Sequence, residues 1–175
     1  MREPRFKQHT EYVVAATALF VSLSTLGVYI YQAKVMKEQQ HVSVWPYVEW
    51  GTGNVTDFHI TVVNKGVGPA IIRKVEMRLD GKVMADNREL ITAVLGPEWT
   101  LPSLINSSLH DRVLSPGERI SPLLIGDVAA GRAFETKLRA HRFEYRITYC
   151  SVYGDCWVTD GSTAQQQPKV DLGFF

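Results

Sequence analysis

The chain reads as a single N-terminal transmembrane helix followed by a mainly-β domain, and three observations predict this. The run from Tyr12 to Ala33 contains no charged residue. Beyond residue 42, apolar and polar residues alternate with period two in several short stretches, the pattern of half-buried strands. Turn-forming pairs such as Asp80-Gly81 and Gly96-Pro97 punctuate those stretches.

A helix of roughly twenty residues, rising ~1.5 Å per residue, spans the ~30 Å of a bilayer core. Tyr12 at one end of the run and Tyr29 and Tyr31 at the other supply the aromatic residues that favour membrane interfaces. The competing reading is a cleaved secretory signal, because Arg2, Arg5 and Lys7 form a basic leading region. Against it, the apolar run is too long and no small-x-small pattern precedes Lys34. No later segment is long and apolar enough to span, so one crossing is expected. Three Lys/Arg precede the run and two, Lys34 and Lys37, closely follow it, which favours a cytoplasmic N-terminus and a periplasmic domain by one charge. Within the run, Ala15, Ala18, Ser22 and Thr25 recur at three- and four-residue spacing. Such a small-residue seam lets membrane helices approach and self-associate; chance clustering of common membrane residues produces the same pattern.

Gln32 to His41 holds good helix formers and no Gly or Pro, so the helix is expected to continue beyond the lipid. Pro46 blocks it, and Ser43 to Trp50 reads as a first strand, with Trp45 and Tyr47 also suited to a membrane interface. Phe58, Ile60 and Val62 alternate with His59, Thr61 and Val63, a second strand. Asn64-Lys65-Gly66-Val67-Gly68-Pro69-Ala70 then reads as a turn in which Asn64, Gly66 and Gly68 supply positive φ and Pro69 stiffens the exit into Ala70-Ile71-Ile72. An anion-binding Gly loop is the alternative, but such loops lead into a helix N-terminus and this one leads into a strand. Val75, Met77 and Leu79 alternate with Lys74, Glu76 and Arg78 up to the Asp80-Gly81 hairpin turn, and Lys82 to Ala85 returns. Asp86-Asn87-Arg88-Glu89 has capping-box spacing, opening a helix over Leu90, Ile91, Val94 and Leu95 that Gly96-Pro97 ends. A loop through Pro102 and Asn106 leads to a strand near His110 to Leu114. Ser115 to Glu118 is a turn, and Ile120 to Ile125 is a strand that Pro122 makes an edge or a bulged one. Asp127 to Arg139 suits a short helix. Phe143, Tyr145, Ile147 and Tyr149 alternate with Arg142, Glu144, Arg146 and Thr148, and the chain returns through Cys156-Trp157-Val158.

A three-residue loop Val152-Tyr153-Gly154, with Gly154 left-handed, would set Cys150 directly opposite Cys156. Opposed side chains come within ~4.5–5.5 Å at Cβ, near disulfide range, and an oxidising exterior favours the bond. Two buried thiols in a cytoplasmic hairpin are the alternative. About seven short strands with near-regular turns and one or two short helices predict an immunoglobulin-like β-sandwich; an α+β domain is the alternative. The expected organisation is a short basic tail at 1–11, the transmembrane helix at 12–33, a helical connector at 34–45, the β-sandwich-like domain at 46–160 and a flexible polar tail at 161–175.

Of 19 Lys/Arg and 18 Asp/Glu, five basic and three acidic residues precede Val42, which leaves 14 and 15. The domain carries no global field that would recruit nucleic acid. About 140 residues follow the apolar run, enough for one ordinary domain. His9, His41, His59, His110 and His141 are scattered, none at metal-ligand spacing with another His or a Cys, and neither metal nor cofactor is expected. His110-Asp111 beside serines invites a hydrolase reading, but no Gly-x-Ser-x-Gly elbow supports it. The Arg132 to Arg146 stretch holds five Lys/Arg and His141 against Glu135 and Glu144, suited to lipid headgroups, an acidic partner or a solvated face.

Ser-Val-Trp-Pro-Tyr after a Gln-rich connector, Asn-Lys-Gly-Val-Gly-Pro-Ala, and Tyr-Cys-Ser-Val-Tyr-Gly-Asp-Cys-Trp near the end together resemble a family of small, uncharacterised bacterial single-pass membrane-anchored proteins. The resemblance covers most of the chain and implies a bacterial inner membrane; it supplies no functional residues. The expected role is a non-catalytic, membrane-anchored protein-interaction or assembly module with an unidentified protein partner. An oligomerising membrane accessory or effector subunit whose β domain senses a partner is the alternative, and a hydrolase is the third reading.

Overall fold

The computed structural model describes residues 5–53, 57–98 and 104–161, with side chains from residue 9 onward. The expected basic tail residue Arg2, the loop at Pro102 and the tail from 162 lie outside the described residues. The chain divides between Val42 and Ser43 into two units. The first is the helix α1 (Arg5–Ser43), 39 residues. Its mean hydropathy reaches 2.0 and none of the apolar window is buried. Among the described residues it is the one helix long and apolar enough to cross a membrane. It continues through the Gln-rich connector because nothing before Pro46 interrupts it. The first strand therefore starts later than Ser43, at Val48.

The second unit is mostly β. It contains β1 (Val48–Gly53), β2 (Phe58–Asn64), β3 (Ala70–Leu79), β4 (Lys82–Met84), α2 (Asn87–Leu95), β5 (Leu104–Asn106), β6 (Val113–Leu114), β7 (Arg119–Ile125), α3 (Val128–Leu138), β8 (Phe143–Cys150) and β9 (Cys156–Thr159). One sheet has the order β1-β2-β7-β5. The other runs β4-β3-β8-β9, with β6 paired to β3. Every pairing is antiparallel.

Among the described residues nine strands stand where about seven were expected, and three local readings change. The segments at Ala70 and Val75 form one strand, because a register shift between Ile72 and Lys74 absorbs the break in alternation. Leu104–Asn106, expected as loop, pairs with Leu123 to Ile125. Pro122 does not make β7 an edge. The strand lies between β2 and β5, and Thr61 faces both Ser121 and Pro122 in a bulge that tolerates the missing N–H.

Both sheets contribute to one core. Phe58, Ile60, Val62, Leu123 and Ile125 come from the first; Ala70, Ile72, Tyr145 and Ile147 come from the second. Trp50 on β1 meets the Tyr145 ring of β8 edge-on at 5.2 Å. Helix α3 packs Phe134 against Phe58 at 4.9 Å. Helix α2 buries Leu90, Ile91, Val94 and Leu95, the apolar face its spacing predicts. Asp86 caps it by accepting from Glu89 N at 2.7 Å, while Glu89 accepts from Ala85 N at 2.7 Å. The β3–β4 turn holds Asp80 and Gly81 at φ 51 and 84, the geometry of the tight hairpin turn that Asp-Gly favours.

Candidate interaction surfaces

The most specific local chemistry of the domain centres on Asn64, the last residue of β2. Its residue exposure is 0%, and a buried amide must satisfy both its acceptor and its donors. Oδ1 accepts from Tyr47 N at 3.2 Å and Gly66 N at 3.0 Å. Nδ2 donates to Gly68 O at 2.8 Å and Leu114 O at 3.0 Å. Its main chain also accepts from Gly117 N and donates to Glu118 O. One side chain thus ties the entry to β1, the β2–β3 loop and β6 together.

The glycines of that loop serve a different purpose from the expected one. Asn64, Gly66 and Gly68 are not among the positive-φ residues. Instead, residues 44–47 run against the loop: Lys65 N donates to Tyr47 O, and both Val67 N and Gly68 N donate to Trp45 O. A Cβ on Gly66 would lie 2.3 Å from Tyr47 N, and one on Gly68 only 1.9 Å from Val44 O. Close backbone approach, not handedness, demands glycine at both positions. Pro69 then leads into β3 as expected.

Cys150 and Cys156 face each other across the β8–β9 hairpin and are disulfide-bonded. The intervening turn is closed by Ser151 N to Asp155 O at 2.8 Å and Gly154 N to Ser151 O at 3.1 Å, with Gly154 at φ 83. Because Ile71 pairs with Cys150, the β2–β3 and β8–β9 loops leave neighbouring strands at the same end of the sheet. There Val67 is 65% exposed, Val152 53% and Tyr153 48%. Two backbone-locked loops therefore present three large apolar or aromatic side chains to solvent, an arrangement that favours binding by minimising the ordering cost.

Other candidates come out less favourably. In α1, Ser22 Oγ donates to Ala18 O and Thr25 Oγ1 to Val21 O, both at 2.8 Å. The hydroxyls of the Ala15, Ala18, Ser22 and Thr25 seam are thus spent within their own helix, leaving small size as its asset. The expected basic stretch is largely balanced. Arg139 pairs with Glu135 at 2.7 Å, Arg142 with Glu144 at 2.9 Å and His141 with Asp80 at 2.6 Å, while Lys137 donates to Leu95 O. The N–H of Arg142 and the His141 ring hold the Asp80 carboxyl below its ordinary value.

Ser108, His110 and Asp111 do lie together, but Ser108 Oγ accepts from the His110 backbone N–H, and the ring pairs with Asp111 on an exposed surface. Among the described residues no cluster of three His, Cys, Asp or Glu could hold a metal. A cleft of about 410 Å³ lies between the β4–α2 junction and the segment after β5, and no sequence signal pointed to it. Compared with protein-family models, with curated proteins and with solved structures, the chain has no match.

Proposed function

We propose that this is a single-pass protein of a bacterial inner membrane whose domain is an immunoglobulin-like sandwich that binds a protein partner on the periplasmic side and performs no catalysis. The observation that carries this reading is the pair of locked loops bearing Val67, Val152 and Tyr153. The strand orders β1-β2-β7-β5 and β4-β3-β8-β9 correspond to the ABED and C′CFG orders of immunoglobulin-type domains, which supports the finer fold reading. In that fold, loops gathered at one end are the ordinary binding surface. Helix α1 supports the anchor by its length and hydropathy. The disulfide supports an oxidising compartment, in agreement with the one-charge excess before the helix.

The test is a photo-crosslinking amino acid placed in the full chain in cells, at Val67 or Tyr153 and, as a control, at the exposed Val83 of β4. A discrete adduct to one protein from the two loop positions and none from Val83 is expected. Equal adducts at all three positions, or none from the loops, would remove the reading.

A further inference from the structure

The cleft beside β4 has a floor built by register. Met77 of β3 pairs with Met84 on one side and with Tyr145 on the other, so the three side chains form one cross-strand row, and all three line the cleft. Methionine adapts its shape to an apolar guest better than branched residues do. At about 410 Å³ the space falls within the ~300–1,000 Å³ typical of small-molecule sites.

The walls are polar and braced. Asn87 Nδ2 donates to Asn106 Oδ1 at 2.8 Å and to Pro122 O at 3.0 Å, which clamps the first turn of α2 to β5 and β7. Tyr145 stands at the floor with 2% exposure, and its hydroxyl is not a sealed, unpaired atom: among the described residues Trp50 Nε1 is the one buried side-chain polar atom left without a partner. A phenol O–H at the floor of a cleft is a hydrogen-bond donor to which a guest's oxygen can turn. Burial also pushes its pKa up, keeping the proton on oxygen.

The charge around the cleft limits what can enter. Its ionisable lining groups besides Tyr145 are Asp86, whose carboxylate is engaged in capping α2, and His110, whose ring is paired with Asp111. A bare anion would meet the Asp86 charge with no Lys or Arg in the lining to receive it, and a cation would have to compete with the helix cap.

We propose that this cleft is a binding site for a neutral, largely apolar small molecule whose acceptor oxygen, such as a ketone or amide carbonyl, receives the Tyr145 hydroxyl. The site is independent of the loop surface to which protein binding was assigned above. It faces the β4–α2 junction, whereas the loops lie beyond Ala70 and Cys150.

Benzophenone is a suitable probe, being a neutral ketone with an apolar body. Under near-ultraviolet light its excited carbonyl takes a hydrogen atom from a nearby C–H bond, and the two carbon radicals join. The adduct therefore carries the full probe mass and nothing leaves. The full chain in lipid nanodiscs is irradiated over a range of probe concentrations, and labelled methionines are mapped by peptide mass spectrometry. Saturable labelling at Met77 or Met84 is expected, with non-saturating labelling at Met36 of the anchor serving as the partition control.

Benzanilide, which has an acceptor carbonyl, should compete at least about fivefold better than diphenylmethane, which has the same apolar body and no acceptor. Tyr145→Phe, checked for an unchanged melting transition, should raise the half-saturating concentration about five- to tenfold. Labelling of Met77 and Met84 that rises linearly like that of Met36 would overturn the proposal. So would equal competition by the two competitors, or a folded Tyr145→Phe chain labelled like the parent.

Discussion

The amide of Asn64 donates to the carbonyl of Leu114, fifty residues further along the chain, at 3.0 Å. This bond joins the end of β2 to β6, and the same side chain holds the turn that follows it. Asn64→Leu would leave the N–H groups of Tyr47 and Gly66 and the carbonyls of Gly68 and Leu114 without that partner. At about 1–3 kcal/mol for each buried group left unpaired, the expected loss exceeds about 3 kcal/mol, read from thermal or denaturant unfolding of the full chain in detergent.

Asn64→Asp adds a pH signature. The new carboxylate keeps the acceptor but would face two carbonyl oxygens, so its folded pKa rises above the unfolded one. The destabilisation is then largest above the folded pKa and shrinks as the pH falls through it. Melting temperatures of variant and parent should converge between pH 7 and pH 4; a gap that widens on acidification would contradict the hydrogen-bond pattern.

The loop glycines should differ sharply from a glycine in open space. A Cβ at Gly68 would overlap the Val44 carbonyl, whereas one at Gly51 meets nothing within 4 Å. Gly68→Ala should cost more than about 3 kcal/mol or unfold the domain. Gly51→Ala should change stability by less than about 0.5 kcal/mol.

Removing the disulfide should weaken the domain without abolishing it. The bond joins residues six apart, so the chain-entropy contribution of so short a loop is at most about 2 kcal/mol. Cys150→Ser should lower the melting temperature and leave a folded β domain, measured by circular dichroism. Alkylation of protein taken from cells without reductant should find both thiols blocked until reduction; two thiols free on denaturation would argue against a periplasmic domain.

The membrane seam separates size from polarity. Because Ser22 and Thr25 bond to their own helix, Ser22→Ala should leave crosslinked oligomers in membranes unchanged. Ala18→Leu with Ser22→Leu should reduce them if the small surfaces meet. An unchanged ladder in the double variant would make α1 an anchor only.

Acid should weaken the β3–β8 corner. Asp80 accepts from Arg142 N and from His141, and its pKa is held below the ordinary 3.8. A depressed carboxylate contributes stability that is present above its unfolded value and is lost as the pH falls through the lower folded value. Asp80→Asn should therefore flatten the fall in melting temperature below about pH 4, most visibly at low salt.

Much of this architecture is legible in the sequence where local chemistry decides it. The uncharged run ending at Ala33, the Asp80-Gly81 turn, the Asp86 cap and the alternation from Phe143 to Tyr149 each state their element within a few residues. What escapes is set by distant partners. Leu104–Asn106 is a strand because β7 offers it an edge, and Pro122 sits inside a sheet because a bulge opposite Thr61 removes the need for its N–H. Gly66 and Gly68 look like turn residues, yet a segment twenty positions earlier explains them. The cleft was invisible for the same reason: Met77, Met84 and Tyr145 fall in three strands, and only their register makes a floor.

The run of residues 44–47 against the β2–β3 loop decides where a truncated, water-soluble form of the domain can start. Strand β1 opens at Val48, and cutting there would appear natural from the sheet alone. Such a cut would strip the carbonyls of Trp45 and Tyr47 from Lys65, Val67 and Gly68, and the Tyr47 N–H from Asn64. It would uncover the backbone that the two loop glycines were selected to approach. A fragment beginning at Val44 keeps that backing, so the smallest viable domain includes four residues that belong to neither the anchor nor any strand.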